Sequence, residues 1–223
     1  DLIVAVYNLE AEGNDAEEAS GEKNGTNIFY LTKPLAELAA ERQLEEAELK
    51  AQLEAARQAL FLAREGRIHP HKDDKILTDW NGLMIAAFAK AGQALNEPAY
   101  AQTATQAADF ILSNMQNENG RLLHSYREGV ALYAGNLDDY AFFVWGLLEL
   151  YESTFELRHL QDAIALNQDM RTHFWDPKGG AFFFTPDDGE ALLVRQKEID
   201  DGAIPSGNAV SMLNLLRLGR ITA

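Results

Sequence analysis

Two kinds of apolar pattern alternate along the chain. In "EPAYAQTATQAADFILSNMQ" (97–116) and "ELRHLQDAIALNQDMRTHFW" (156–175), apolar residues recur at helical spacing on one side only. They are Ala101, Ala104, Ala108, Ile111 and Met115 in the first, and Leu160, Ile164, Met170 and Phe174 in the second. Polar residues fill the other side, so each of these helices covers a core and faces water. The segments just before them, "DWNGLMIAAFAKAGQAL" (79–95) and "DDYAFFVWGLLELYESTF" (138–155), are apolar nearly all round. A helix without a polar face has to be buried on most sides. "ELKAQLEAARQALFLA" (48–63) predicts a further amphipathic helix, with Leu49, Leu53, Ala56 and Leu60 in line.

The pattern repeats. Setting Gly120 on Gly179 gives an offset of 59 residues, which also sets Ala87 on Gly146 and Asp109 on Gln168. Each repeat reads as helix, helix, then a glycine turn with a short β-like segment ("NENGRLLHSY", 117–126; "DPKGGAFFFTP", 176–186). A third repeat begins at "SGNAVSMLNLLRLG" (206–219). Tandem hairpins in which fully buried and half-buried helices alternate predict an all-α fold, an α/α toroid whose inner ring is wrapped by an outer one. The toroid is incomplete in this chain, with β-hairpin-like segments between helix pairs. An open solenoid fits less well, because its first helices would keep one wet face. The expected organisation is a single partial toroid domain over 1–223. It comprises an irregular acidic first segment to residue 33, outer helices over 34–66, and hairpin repeats over 78–223.

Composition narrows the class. With 223 residues, 47% hydrophobic and 9% aromatic, the chain can bury a real core. A net charge of −16 argues against nucleic acid or an anionic membrane as partner, since both need a basic footprint. Part of that charge sits in "EAEGNDAEEASGEKNG" (10–25), which reads as a solvated loop. There is no cysteine, hence no disulfide, thiolate metal site or thiol chemistry, which fits a cytoplasmic location. No apolar run approaches the ~20 residues that span a bilayer, and "DLIVAVY" lacks the basic start of a signal peptide. Opening on Asp1 and stopping at "RLGRITA" as a helix ends, the chain reads as cut at both ends.

Candidate chemistry concentrates where the all-apolar helices begin. If those helices form the inner ring, the residues ahead of them line one mouth. His69, His71, Asp73, Asp74, Asp79, Trp80 and Asn81 precede the first; Asp138, Asp139 and Tyr140 the second; Asp200, Asp201, Ser206 and Asn208 the third. Carboxylates with aromatics at a concave mouth suit a polyhydroxylated ligand, with rings against sugar faces and carboxylates accepting from hydroxyls. Asp73, Asp74, His71, Asp138 and Asp201 are the candidates for acid/base work on a glycosidic bond or for moving a proton on a sugar. His69, Trp80, Asn81, Asp139, Tyr140, Ser206 and Asn208 are candidates for holding the substrate.

Plainer readings stand beside these. Asp79, Asp138 and Ser206 are good helix N-caps, Trp80 and Tyr140 suit a core, and Lys75 can simply neutralise Asp73 or Asp74. The run "GAFFFTP" reads as packing at a turn, and His124, His159 and His173 as ordinary helix or turn residues. The pair His69 and His71 has the alternation of a metal site. Pro70 stiffens the segment, however, and no third ligand has diagnostic spacing, so neither metal nor cofactor is expected.

"HPHKDDKILTDWNGLMIAAFAKAG" together with "DGAIPSGNAVSMLNLLRLGRIT" closely resembles the YyaL-like family, the spermatogenesis-associated, thioredoxin-domain-containing proteins. The resemblance runs from about Tyr7 to the end. It implies an α/α toroid similar to six-hairpin glycosidases and N-acylglucosamine 2-epimerases, with 68–82, 138–140 and 200–208 lining a cleft. It also implies a thioredoxin-like domain as partner in the full-length protein. This chain holds no such domain and no Cys-x-x-Cys, so redox activity does not carry over. Three functions are consistent with these residues: a toroid that binds or processes carbohydrate as a hydrolase or epimerase, a non-catalytic scaffold for the thioredoxin-like domain, or a structural remnant.

Overall fold

The computed structural model describes residues 2–18 and 20–223; Asp1 and Ala19, the latter within the acidic run, lie outside the described residues. The chain forms two compact units that divide between Lys72 and Asp73.

The first unit holds α1 (Leu2–Val6), α2 (Leu35–Glu41) and α3 (Glu46–Glu65) around Val6, Leu38, Ala39, Leu49 and Leu53. The apolar line on α3 is buried only in its first half: Leu49 and Leu53 are covered, whereas Leu60 is 50% exposed. The acidic run is exposed but not loose. Asn14 donates to the carbonyls of Asn8 (2.7 Å) and Ile28 (2.9 Å) and accepts from Ile28 N (2.7 Å). Asn27 brackets the Glu10 backbone in both directions.

The second unit carries the repeat as β1 (Ile76–Leu77), α4 (Thr78–Leu95), α5 (Pro98–Asn114), β2 (Leu123–Arg127), β3 (Val130–Ala134), α6 (Leu137–Thr154), α7 (Leu157–Phe174) and α8 (Gly207–Ile221). Helices α4 and α6 coincide at both ends under the offset of 59, and α5 and α7 to within one residue. α4, α6 and α8 lie side by side and parallel. Asp79 N donates to Asp139 Oδ1 (3.0 Å) where α4 and α6 begin, and Gln93 Nε2 to the Glu152 carbonyl (2.7 Å) where they end. Asn214 Nδ2 donates to the Ala141 carbonyl (2.8 Å), and Arg217 pairs with Glu149 and Glu152 (2.7 Å each), aligning α8 on α6. α5 packs outside α4 and α7 outside α6. The result is two layers, as the two kinds of helix require.

The largest share of the core belongs to α6, where Tyr140, Ala141, Phe142, Phe143, Val144, Leu147, Leu148 and Leu150 are all buried. Each large side chain among them contributes about 1.5–3 kcal/mol by leaving water. Two glycines let α4 and α6 approach: a Cβ on Gly82 would sit 2.5 Å from the Phe142 carbonyl carbon, and one on Gly146 2.9 Å from the Gly82 carbonyl oxygen. No side chain can replace hydrogen there without parting the helices.

The β-like segment of the first repeat is a three-stranded antiparallel sheet in the order β1-β2-β3. Glu128 and Gly129 turn β2 into β3 with positive φ at both residues (51° and 86°), the pattern of a tight hairpin turn. Pairing of Leu77 with Ser125 lays β2 against the start of α4, where Thr78 Oγ1 donates to the Leu123 carbonyl (2.6 Å). In the second repeat the hairpin shrinks to one bridge, Trp175 to Phe182, and Phe182 is buried as the turn-packing reading expects. No helix among the described residues is long and apolar enough to cross a membrane.

Candidate functional site

The N-terminal ends of α4, α6 and α8 share one side of the second unit. The cap of α6 is Asn136 rather than Asp138. That frees Asp138, at the second helical position, from the capping role. Its carboxyl is half-buried, and Oδ1 is enclosed with no hydrogen-bond partner among the described residues. Gly207 opens α8 directly against it; a Cβ there would overlap the carboxylate. Burial, reinforced by the carboxylates of Glu198, Asp139 and Asp79, pushes Asp138 up to about 6. The Gly207 amide lies close enough to oppose this, but not at a geometry that satisfies Oδ1. A carboxyl poised there can give a proton near neutral pH, which an ordinary aspartate cannot.

Asp139, one residue on, is fully buried. Its carboxylate accepts from Asp79 N (3.0 Å), from Asn136 N (2.8 Å) and, through both oxygens, from His124 Nδ1 (3.0 and 3.1 Å). Burial pushes Asp139 upward against the pull of His124, and Asp139 in turn holds the imidazole above the ordinary histidine value. His124 comes from β2, and only the pairing of β2 with β1 carries it to this end of α4 and α6. Asp79, His124 and Asp139 each bring one ligand atom within 4.8 Å of the others, a spacing that could hold a divalent cation. As folded, however, the Asp139 oxygens are taken by three N–H donors, and Asp79 Oδ1 accepts from Trp80 N (2.7 Å).

The remaining predicted residues sort differently. Trp80 leaves 61% of its surface exposed beside Asp79. Tyr140 is no ligand platform: it is fully buried, donating to Asp169 Oδ2 (2.5 Å) and accepting from Arg121 Nε (3.0 Å) and Leu122 N (3.1 Å). Asn81 Nδ2 ties back to the Leu77 carbonyl (2.8 Å). Ser206 caps α8 by accepting from Ala209 N (3.1 Å), and Asp201 accepts from Ser206 N (2.9 Å). Asn208 is buried as a clamp, bonded to both backbone groups of Phe182 and to the Glu198 carbonyl.

Asp73 and Asp74 are exposed and paired, with Lys75 (3.2 Å) and Arg127 (2.8 Å); the lysine holds Asp73 below the usual carboxylate range. His69 and His71 belong to the first unit and are exposed there, with His69 Nε2 3.3 Å from the Glu65 carbonyl. The carboxylates of "IHPHKDD" are thus surface ion pairs and its histidines exposed rings. His124 and Glu198, neither of them marked by the repeat register, stand instead by Asp139 and Asp138.

No family model matches the chain. Over 233 aligned residues it is 37% identical to spermatogenesis-associated protein 20 of Mus musculus, covering 99% of this chain and 30% of that protein, so the chain spans less than a third of its relative. Cellobiose 2-epimerase from Bacillus thermoamylovorans superposes with a TM-score of 0.55 at 22% identity, over 69% of this chain and 44% of that one. A family 105 glycoside hydrolase from C. acetobutylicum superposes with a TM-score of 0.55 at 16% identity, over 84% and 55%. At these identities the likeness is one of fold. The helical hairpins are thus part of an α/α toroid, and the chain is a homologue, over nearly its whole length, of a segment of spermatogenesis-associated protein 20.

Proposed function

We propose that the mouth formed by α4, α6 and α8 binds an uncharged sugar and processes it by acid/base chemistry, with Asp138 as the acid. The observation that carries this reading is the enclosed, unpartnered carboxyl of Asp138, set among Asp79, Asp139 and Glu198. Raising a carboxyl in this way costs stability and leaves a buried oxygen unbonded, an arrangement that function rather than folding accounts for. Glu198, from the segment before α8, adds its charge to the carboxylates that keep the Asp138 proton in place. The exposed Trp80 ring supplies a face for a sugar to stack on. The same carboxylates repel phosphate and uronate groups, so neutral sugars are preferred. The toroid enzymes named above, a sugar epimerase and a glycoside hydrolase, support the class of ligand through fold alone.

The test is a thermal-shift screen of the full-length protein against neutral mono- and disaccharides and their phosphates, beside Asp138→Asn and Trp80→Ala. A neutral sugar that stabilises wild type but neither variant supports the reading; a preference for the phosphates, or no shift with any sugar, overturns it. The last result would favour the scaffold reading. That alternative draws on the exposed stripe Met212, Leu213 and Leu216 on α8 and would give the thioredoxin-like domain a surface to meet.

A further inference from the structure

The reading above leaves His124 and Asp139 without a task, yet they form the most carefully built pair in the unit. A fully buried carboxylate anchored by the Asp79 and Asn136 amides has few conformations open to it. It therefore presents both oxygens to one ring nitrogen in a fixed direction. The proton of a neutral imidazole is then held on Nδ1, because that nitrogen faces acceptors only. The other nitrogen, Nε2, has no protein partner among the described residues, and the side chain keeps 28% of its surface open. One nitrogen buried against a carboxylate and one left free is the arrangement that makes an imidazole a directed base.

We propose that His124 is the base of this mouth, held at Nδ1 by the positioning residue Asp139 and open at Nε2 to take a proton from a hydroxyl of the bound sugar. In that step the O–H bond breaks, its electron pair stays on oxygen, and the proton passes to the Nε2 lone pair. The imidazolium that forms is neutralised by Asp139. The charged groups facing His124 are Asp139, Asp79 and, with the opposite sign, Lys75. Two carboxylates against one ammonium favour the protonated product of this step.

The inference rests on the sugar-site reading for its substrate, but its structural core can be tested without one. Carbethoxylation of the full-length protein by diethyl pyrocarbonate, read peptide by peptide in a mass spectrometer across pH, reports each histidine separately. His124 is expected to react with a midpoint above that of free N-acetylhistidine followed in the same buffers. In Asp139→Asn that midpoint is expected to fall, because the hydrogen bond to Asp139 is the largest cause holding the His124 proton. An unchanged midpoint in a folded Asp139→Asn protein overturns the proposal. If that variant does not fold, a wild-type midpoint at or below that of free N-acetylhistidine overturns it equally.

A sugar found by thermal shift should protect His124 from the reagent. A sugar that stabilises the protein yet leaves His124 labelled at the same rate removes the histidine from the reaction while sparing the sugar site. Labelling of His124 that is blocked by added zinc and restored by a chelator would instead make the cluster a cation site.

Discussion

Asp79 and Asp138 stand 59 residues apart, each at the second position of its inner helix, and they meet different neighbours. Asp79 accepts from the next backbone N–H and stays half open beside an exposed tryptophan. Asp138 is closed in by Gly207 of the following helix, with one oxygen unbonded and three further carboxylates around it. One position later the contrast sharpens: Trp80 is mostly in water, whereas Asp139 is fully buried and bonded to His124. The repeat supplies matching backbone positions. Chemistry follows from what stands next along the ring, and only α6 has an inner helix on both sides.

The comparison depends on α4 and α6 lying at glycine-to-backbone distance, so the largest effect should come from parting them. Gly82→Val is expected to destabilise the protein by at least the ~1–3 kcal/mol typical of overpacking, because the obstacle is the Phe142 backbone, which cannot turn aside. Urea unfolding would check this, and a loss under about 1 kcal/mol would mean the two helices are not so closely coupled. Tyr140→Phe should cost less, about 1–2 kcal/mol, by leaving the Leu122 amide and the Asp169 carboxylate short of a partner. A neutral result in the same assay would return Tyr140 to the pool of ligand-contacting residues.

Much of this fold is written in the pattern of polar and apolar positions. An all-apolar α6 can only be central, and the offset of 59 reproduces both ends of α4 and α6 because each repeat has to bury the same faces. The site is less legible. His124 lies on a strand whose alternation says nothing of which helix end it will meet; that depends on the register of Leu77 with Ser125. Glu198 lies in the irregular stretch before α8, outside any periodicity. Conversely, Tyr140 and Asn208 have the composition of ligand groups, and the core uses them to cross-brace buried backbone. Local sequence marks a residue as polar, but whether its partner is protein or ligand is decided by packing from segments far away.

The Asp138 side of the comparison carries a pH signature. Its folded value of about 6 lies above the ordinary aspartate value of 3.8, so the folded state holds this proton more tightly than the unfolded chain does. The stability it contributes is present below the unfolded value and is lost as pH rises through about 6. Asp138→Asn is neutral at every pH and lacks that loss. Urea midpoints at about pH 4 and about pH 7 should therefore show wild type losing more than the variant between them. Equal changes would mean that the Asp138 carboxyl is not enclosed.

The smallest expected effect belongs to the exposed half of the comparison, and it is also the one that separates folding from binding. Trp80 keeps most of its surface in water, so Trp80→Ala should change stability by no more than about 0.5 kcal/mol. Asp139→Ala, 59 residues on, removes the only carboxylate that answers the His124 and Asn136 donors and should cost several times more. If Trp80→Ala is instead strongly destabilising, the ring is held by packing and offers no face to a sugar. If stability is unmoved while the sugar-induced thermal shift is lost, the tryptophan is exposed because a ligand needs it there.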